Sequence, residues 1–189
     1  MNTAGVYIFD SNYILEKAYE LLSIFFANKE IARISDPDDE NAPLAALERR
    51  FFEAKISRLL IEVAASFRVF SDQLAKLPVS DPKRKVFYDL LAIVDEYEFG
   101  MFDDLNLTLR ETCNKIIHAE VFEPHFKDGH EGHERDYAYW SGEDPKSIKW
   151  KHASGYVRLS GNRNKKKWYV MLEVQVFVTA IFKVFSAVK

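Results

Sequence analysis

Apolar side chains recur every three or four residues through most of this chain, and sharply polar points interrupt that rhythm. Ile14, Leu15, Ala18, Leu21, Leu22, Phe25 and Phe26 form the first stripe. It predicts a helix capped by Ser11 or Asn12 and running to about Lys29. Ser35 to Asn41 has no period and reads as an acidic loop. Pro43, suited to a first helical position, opens a long second helix ending near Leu77. Its apolar positions are Leu44, Leu47, Phe51, Ile56, Leu59, Leu60, Val63, Phe67 and Phe70. Ser80-Asp81-Pro82 starts a third helix, along which Val86, Phe87, Leu90, Leu91, Val94 and Tyr97 continue the pattern until Gly100. A short connection over Asp103 to Asn106 leads to a fourth helix, where Thr108 and Glu111 have the spacing of a capping box.

After Val121 the pattern changes. Phe122 to His152 is polar and aperiodic, and is expected to be a long loop. Residues from about 155 to 170 alternate like a β-hairpin, with Tyr156-Val157-Arg158-Leu159 and Trp168-Tyr169-Val170 flanking a turn around Gly161 to Asn164. From Leu172 a final helix is expected to bury Val174, Val178, Ile181, Phe182 and Phe185. The alternation of Val170, Leu172, Val174 and Val176 keeps a strand open for its first half. The expected fold is therefore mainly α: one domain over residues 1–189, a bundle of about five helices with a β-hairpin inserted before the last.

Composition agrees with this reading. The chain has 189 residues, enough for one domain with a full core, and fifteen are Phe. Seven Gly and six Pro are few for a turn-rich β architecture. Cys113 is the single cysteine, so no intrachain disulfide can form, and a reducing compartment is expected. Met1 to Asn12 lacks a basic segment leading into an apolar run, unlike a secretory signal. Glu173, Gln175 and Lys183 interrupt the longest apolar tract, Trp168 to Val188, which is read as buried core rather than a membrane span. A soluble, cytoplasmic protein with no membrane partner is the expectation.

Charge adds a candidate function. Between Pro145 and Leu172 lie eight basic residues and no acidic one, so this stretch carries +8 within a chain of net charge −3 and leaves −11 on the rest. Arg158, Arg163, Lys165, Lys166 and Lys167 belong to the hairpin, with Trp140, Trp150, Tyr156 and Trp168 in or near the same segment. Cations attract phosphates and aromatic rings stack on bases, which makes these five residues candidate RNA contacts. Lysine-rich turns also serve solubility, and Trp168 can simply seal the hairpin against the bundle.

The fourth helix carries the candidate chemistry. Arg110, Asn114 and His118 fall at i, i+4 and i+8, one polar stripe, whereas Leu109, Cys113, Ile116 and Ile117 fall mostly on the opposite side. Imidazole transfers protons near neutral pH, guanidinium holds phosphate, and an amide can orient either. Roughly 12 Å of helical rise separates Arg110 from His118, and Arg110 leans further away. Two copies packed antiparallel about an axis near Asn114 would bring the Arg of one to the His of the other. Equally, the stripe can be a solvated or hydrogen-bonded face, with Arg110 paired to Asp103 or Glu111 and His118 capping the helix end.

A helical bundle with Arg110 and His118 on one helix resembles the HEPN superfamily, many of whose members are metal-independent endoribonucleases with a site formed across a dimer. The resemblance covers the helical portion, roughly Ser11 to Ala119 and the last helix. This chain departs from the family motif in the seven residues between Arg and His and in Glu111 directly after the Arg. The resemblance implies catalysis by Arg110, Asn114 and His118 without a cofactor, a homodimer, an RNA substrate, and a toxin or defence setting with a protein partner such as an antitoxin. A non-catalytic dimerisation or interaction module is the alternative. His125, His130 and His133, interleaved with Asp128, Glu131 and Glu134, can ligate zinc or nickel, but an irregular glycine-containing loop supports such a site badly, and no metal is expected.

Overall fold

The structure is a computed structural model and describes residues 10–35, 42–102, 105–129 and 150–188. The first helix, α1, spans Ser11–Ile34. Asp10 caps it, its carboxylate accepting from the backbone N–H groups of Asn12 (3.0 Å) and Tyr13 (3.2 Å), one residue earlier than the sequence suggested. α2 covers Pro43–Ala75 with Pro43 at its start, and α3 covers Pro82–Val94 behind an Asp81 cap. Asn28–Glu48, Glu20–Lys55 and Tyr13–Glu62 contacts run in opposite senses along α1 and α2, so the two helices are antiparallel.

Gly100 does not close α3, which ends at Val94. It sits instead where the chain crosses under the sheet, at φ +149°. A Cβ on it would lie 2.6 Å from the carbonyl oxygen of Met171 and 2.9 Å from Val170 Cγ1. Only glycine tolerates both the dihedral and the approach. A small ribbon follows, β1 (Met101–Phe102) paired with β2 (Leu105–Asn106), where the sequence suggested a plain connection. α4 then spans Leu109–Ile117.

The segment expected to be a loop from Phe122 to His152 is strand at both ends. β3 spans Val121–Gly129, β4 spans Trp150–Arg163 and β5 spans Lys166–Glu173, in an antiparallel sheet of order β3-β4-β5. Residues 130–149, with Trp140 and most of the histidine segment, and the acidic residues 36–41 lie outside the described residues. β3 accepts Pro124 because it is an edge strand and because the register shifts between Pro124 and Phe126. The hairpin turn is Asn164–Lys165 rather than Gly161 to Asn164; both residues have positive φ (51° and 66°), as a two-residue turn between twisted strands requires. Strand persists to Glu173, and α5 spans Val174–Ala187. The mainly α bundle of five helices with a hairpin before the last is thus present among the described residues, the hairpin being widened to three strands.

α2 supplies the spine of the core. Its buried face from Phe52 to Leu74 meets α1, α3, α4, α5 and the sheet. Near its C-terminal end Phe70 packs on Phe87 of α3 (5.7 Å between centroids) and Phe185 of α5 (4.9 Å). Near its N-terminal end Phe52 meets Phe25 of α1 (5.8 Å) and Phe126 of β3 (6.1 Å). Leu44, Leu47 and Phe51 lie on the outside, as do Phe26 of α1 and Phe182 of α5, contrary to the predicted stripes. The sheet is stapled to the helices by buried Asn28, which accepts from the Ala153 N–H (2.6 Å) and donates to Glu48 Oε1 (3.1 Å).

Gly100→Ala is expected to destabilise the fold by about 2 kcal/mol, the strained dihedral and the clash with Met171 acting together. Chemical denaturation of the two proteins measures it.

Candidate functional site

α4 is held at both ends. At its N-terminus Thr108 Oγ1 accepts from the Glu111 N–H (3.2 Å) and Glu111 Oε2 accepts from the Thr108 N–H (3.0 Å), so the capping box is formed. Asp95 Oδ1 accepts from the Leu109 N–H (2.8 Å), and its partial burial raises its carboxyl pKa above the ordinary range. Leu109, Cys113 and Ile116 face the core. Complete burial raises the pKa of the Cys113 thiol and keeps it protonated.

Arg110 points away from that core and across to α2. Its Nη1 donates to Ser71 Oγ (2.8 Å) and its Nη2 to Asp72 Oδ1 (2.8 Å). Its partner here is not Glu111 but a carboxylate 38 residues earlier, while Asp103, the other partner considered, lies outside the described residues. The hydrogen bond from Arg110 is the main reason the Asp72 carboxyl titrates below its ordinary value. Arg68, one turn earlier on α2, reaches the other Asp72 oxygen only at 3.9 Å. Asn114 is half-buried on the next turn of α4.

His118 terminates the helix. Its backbone N–H donates to the Asn114 carbonyl (3.1 Å), and its side chain is exposed. α4 runs antiparallel to α2: Arg110 touches Ser71 and Asp72, and after α4 the chain brings Phe126 against Phe52. Arg110 and His118 thus stand at opposite ends of a nine-residue helix, and no single chain brings them together.

The structure does bring the His118 end to the hairpin. Gly161 packs so closely there that a Cβ would lie 2.9 Å from the His118 carbonyl oxygen and 2.7 Å from Trp168 Cζ2. The Glu120 N–H donates to the Ser160 carbonyl (2.8 Å), and Asn162 Nδ2 donates to Glu120 Oε2 (2.7 Å). Lys115 of α4 lies over the rings of Phe102 (3.2 Å) and Trp168 (4.4 Å). Arg163, Lys165, Lys166 and Lys167 lie just beyond, all exposed and with no ion pair to the described residues. Arg158 differs from them, being ion-paired to Glu123 on β3.

Of the aromatic residues expected beside these cations, Trp140 lies outside the described residues and the other three are otherwise engaged. Trp168 and Trp150 are buried, and the Tyr156 hydroxyl donates to Glu173 (3.1 Å). Tyr169 is the exposed ring, and strand alternation alone puts it opposite in facing to Trp168 and Val170.

His125 is a strand residue whose Nδ1 lies 2.9 Å from Ser154 Oγ, whereas His130 and His133 fall outside the described residues. Among the described residues no group of three or more His, Cys, Asp or Glu side chains is placed to hold a metal ion, and no helix is long and apolar enough to cross a membrane. His152, 5% exposed and stacked on Trp150 (4.8 Å), has its pKa lowered by burial and by the nearby charges of Lys127 and Lys29. The chain matches no protein-family model, and no curated protein and no solved structure matches it significantly.

Two outcomes are expected. Arg110→Ala leaves the nearly buried Ser71 hydroxyl without its donor and frees Asp72, at a cost of about 1–2 kcal/mol near neutral pH. Because the folded-state Asp72 pKa is depressed, this stabilisation is present above the ordinary carboxylate value and is lost as pH falls through the lowered one, so the wild-type advantage shrinks below about pH 4 in urea titrations. His152 has the opposite charge type: its fold favours the neutral ring, so stability falls on acidification below the ordinary value of 6.5. His152→Phe should flatten the melting-temperature profile over that acidic limb.

Proposed function

We propose that this protein binds RNA through the cationic end of its sheet and, as a homodimer resembling the HEPN superfamily, cleaves it there without a metal. The observation that carries the reading is that the hairpin bearing the exposed Arg163, Lys165, Lys166 and Lys167 packs through Gly161 against the backbone carbonyl of His118, whose own side chain is exposed. Exposed cations without an ion pair among the described residues supply attraction for phosphate. The exposed imidazole of His118 can take the proton of a 2′-hydroxyl or give one to a leaving oxygen. The guanidinium that holds the phosphate would be the Arg110 of the other copy, with Asn114 near the twofold axis orienting the pair. A cytoplasmic setting with a protein partner such as an antitoxin belongs to the same reading.

A specific observation favours the non-catalytic alternative as second reading. Arg110 is already neutralised by Asp72 and hydrogen-bonded to Ser71, which suits a residue that fixes α4 on α2. In that case the stripe is a dimer or partner interface and the hairpin is only a lid on the bundle.

Mixed-sequence RNA incubated in EDTA with the wild type and with His118→Ala separates the readings. Cleavage by the wild type that falls at least a hundredfold in the variant supports the ribonuclease. Binding that weakens steeply with salt but without cleavage keeps the RNA-binding part of the proposal and removes the catalytic part. No cleavage by either protein, with an intact dimer and no binding, supports the interaction module. Binding insensitive to salt, or a strict monomer in sedimentation together with full cleavage by His118→Ala, overturns the proposal.

A further inference from the structure

The outer face of the three-stranded sheet is not needed to cover the bundle, yet it displays a large ring. Tyr169 is 75% exposed in β5 and makes no ring contact or hydrogen bond with the described residues. Its cross-strand neighbour is Ser160, and beyond Ser160 lies Val121 on β3. A serine is too short to shield the ring, so one face of the phenol stands open beside a low shelf. Along β5 the outward neighbours are Lys167 on the hairpin side and Met171 on the other, and Met171 pairs with Arg158. Glu123 draws the Arg158 side chain to the neighbouring strand. The face therefore grades from cations at the turn, through an open aromatic ring, to an apolar and ion-paired patch.

We infer that this face is a stacking platform for single-stranded RNA, with an unpaired base lying on Tyr169 and the adjoining phosphates held by Lys167 and the turn residue Lys165. The inference rests on the RNA-binding reading above and narrows it to unpaired strands. Charge complementarity selects the occupant: the hairpin end presents the exposed Arg163, Lys165, Lys166 and Lys167, within a sequence stretch from Pro145 to Leu172 that has eight basic residues and no acidic one, matching a polyanion. Ring exposure selects the form of that polyanion, because bases in a duplex are stacked on one another and present only edges, while a splayed base offers its whole face. Folding explains Tyr169 poorly, since its neighbours on the strand, Trp168 and Val170, do the burying.

Fluorescence anisotropy with the full chain tests this, using a labelled 2′-O-methyl oligouridine, which resists cleavage, and its duplex with oligoadenosine. Tyr169→Ala should weaken single-strand binding about tenfold, leave its salt slope unchanged and leave duplex binding unchanged. Tyr169→Phe should bind like the wild type, because stacking uses the ring and not the hydroxyl. Replacing Lys165, Lys166 and Lys167 together by Gln should lower both the affinity and the salt slope. Unaltered single-strand binding by Tyr169→Ala, or equal weakening for the duplex, overturns the platform. If the lysine replacement alone abolishes binding, the platform falls and the RNA-binding reading stands; if the wild type binds neither nucleic acid, both fall. Unchanged thermal melting of Tyr169→Ala, expected from its exposure, shows that any loss is one of contact.

Discussion

One helix has to be covered along most of its length, and the arrangement of everything else follows from that requirement. At 33 residues α2 is about 50 Å long, and its buried face runs from Phe52 to Leu74. No single partner can cover so long a stripe. α3 and α5 close one end through Phe87 and Phe185, while α1 and β3 close the other through Phe25 and Phe126. Helices and sheet consequently share one core, with α4 lying between the two ends.

This placement gives α4 two different environments. Its first turn is fixed by Thr108, Glu111 and Asp95 and drawn to α2 by Arg110, so that end is mechanically committed. Its last turn emerges beside Gly161, where only the absence of a side chain lets β4 come so near the helix carbonyls. The polar stripe is accordingly a gradient, from a guanidinium tied to α2 to an imidazole open to solvent at the end where the hairpin packs.

Local signals were legible and long-range ones were not. The capping box at Thr108–Glu111, Pro43 at a helix start and the Asp81-Pro82 pair act within a single turn, and each stands where its chemistry indicates. β3 escaped notice because Pro124, Lys127 and Asp128 dilute its alternation, and its strand character is imposed by pairing with β4 across the intervening chain. Asp72 is too distant in sequence from Arg110 for any spacing rule to join them. Leu44, Leu47 and Phe51 have helical spacing of their own, but the face of α2 that meets α1 carries Glu48 and Phe52 instead. Tyr169 was within reach: the strand parity that buries Trp168, Val170 and Leu172 turns it outward.

Cys113 gives the interior a chemical clock. Its sulfur is the single thiol of the chain, sealed beneath α4 close to the Arg68 and Arg110 guanidiniums and held in its unreactive protonated form. An alkylating reagent can reach it only when α4 lifts from the core, so the labelling rate counts those openings without any engineered probe. Whatever grips the far ends of α4, whether nucleic acid at the hairpin or a second copy along the stripe, would slow that clock, and the slowing would measure how firmly the helix is held.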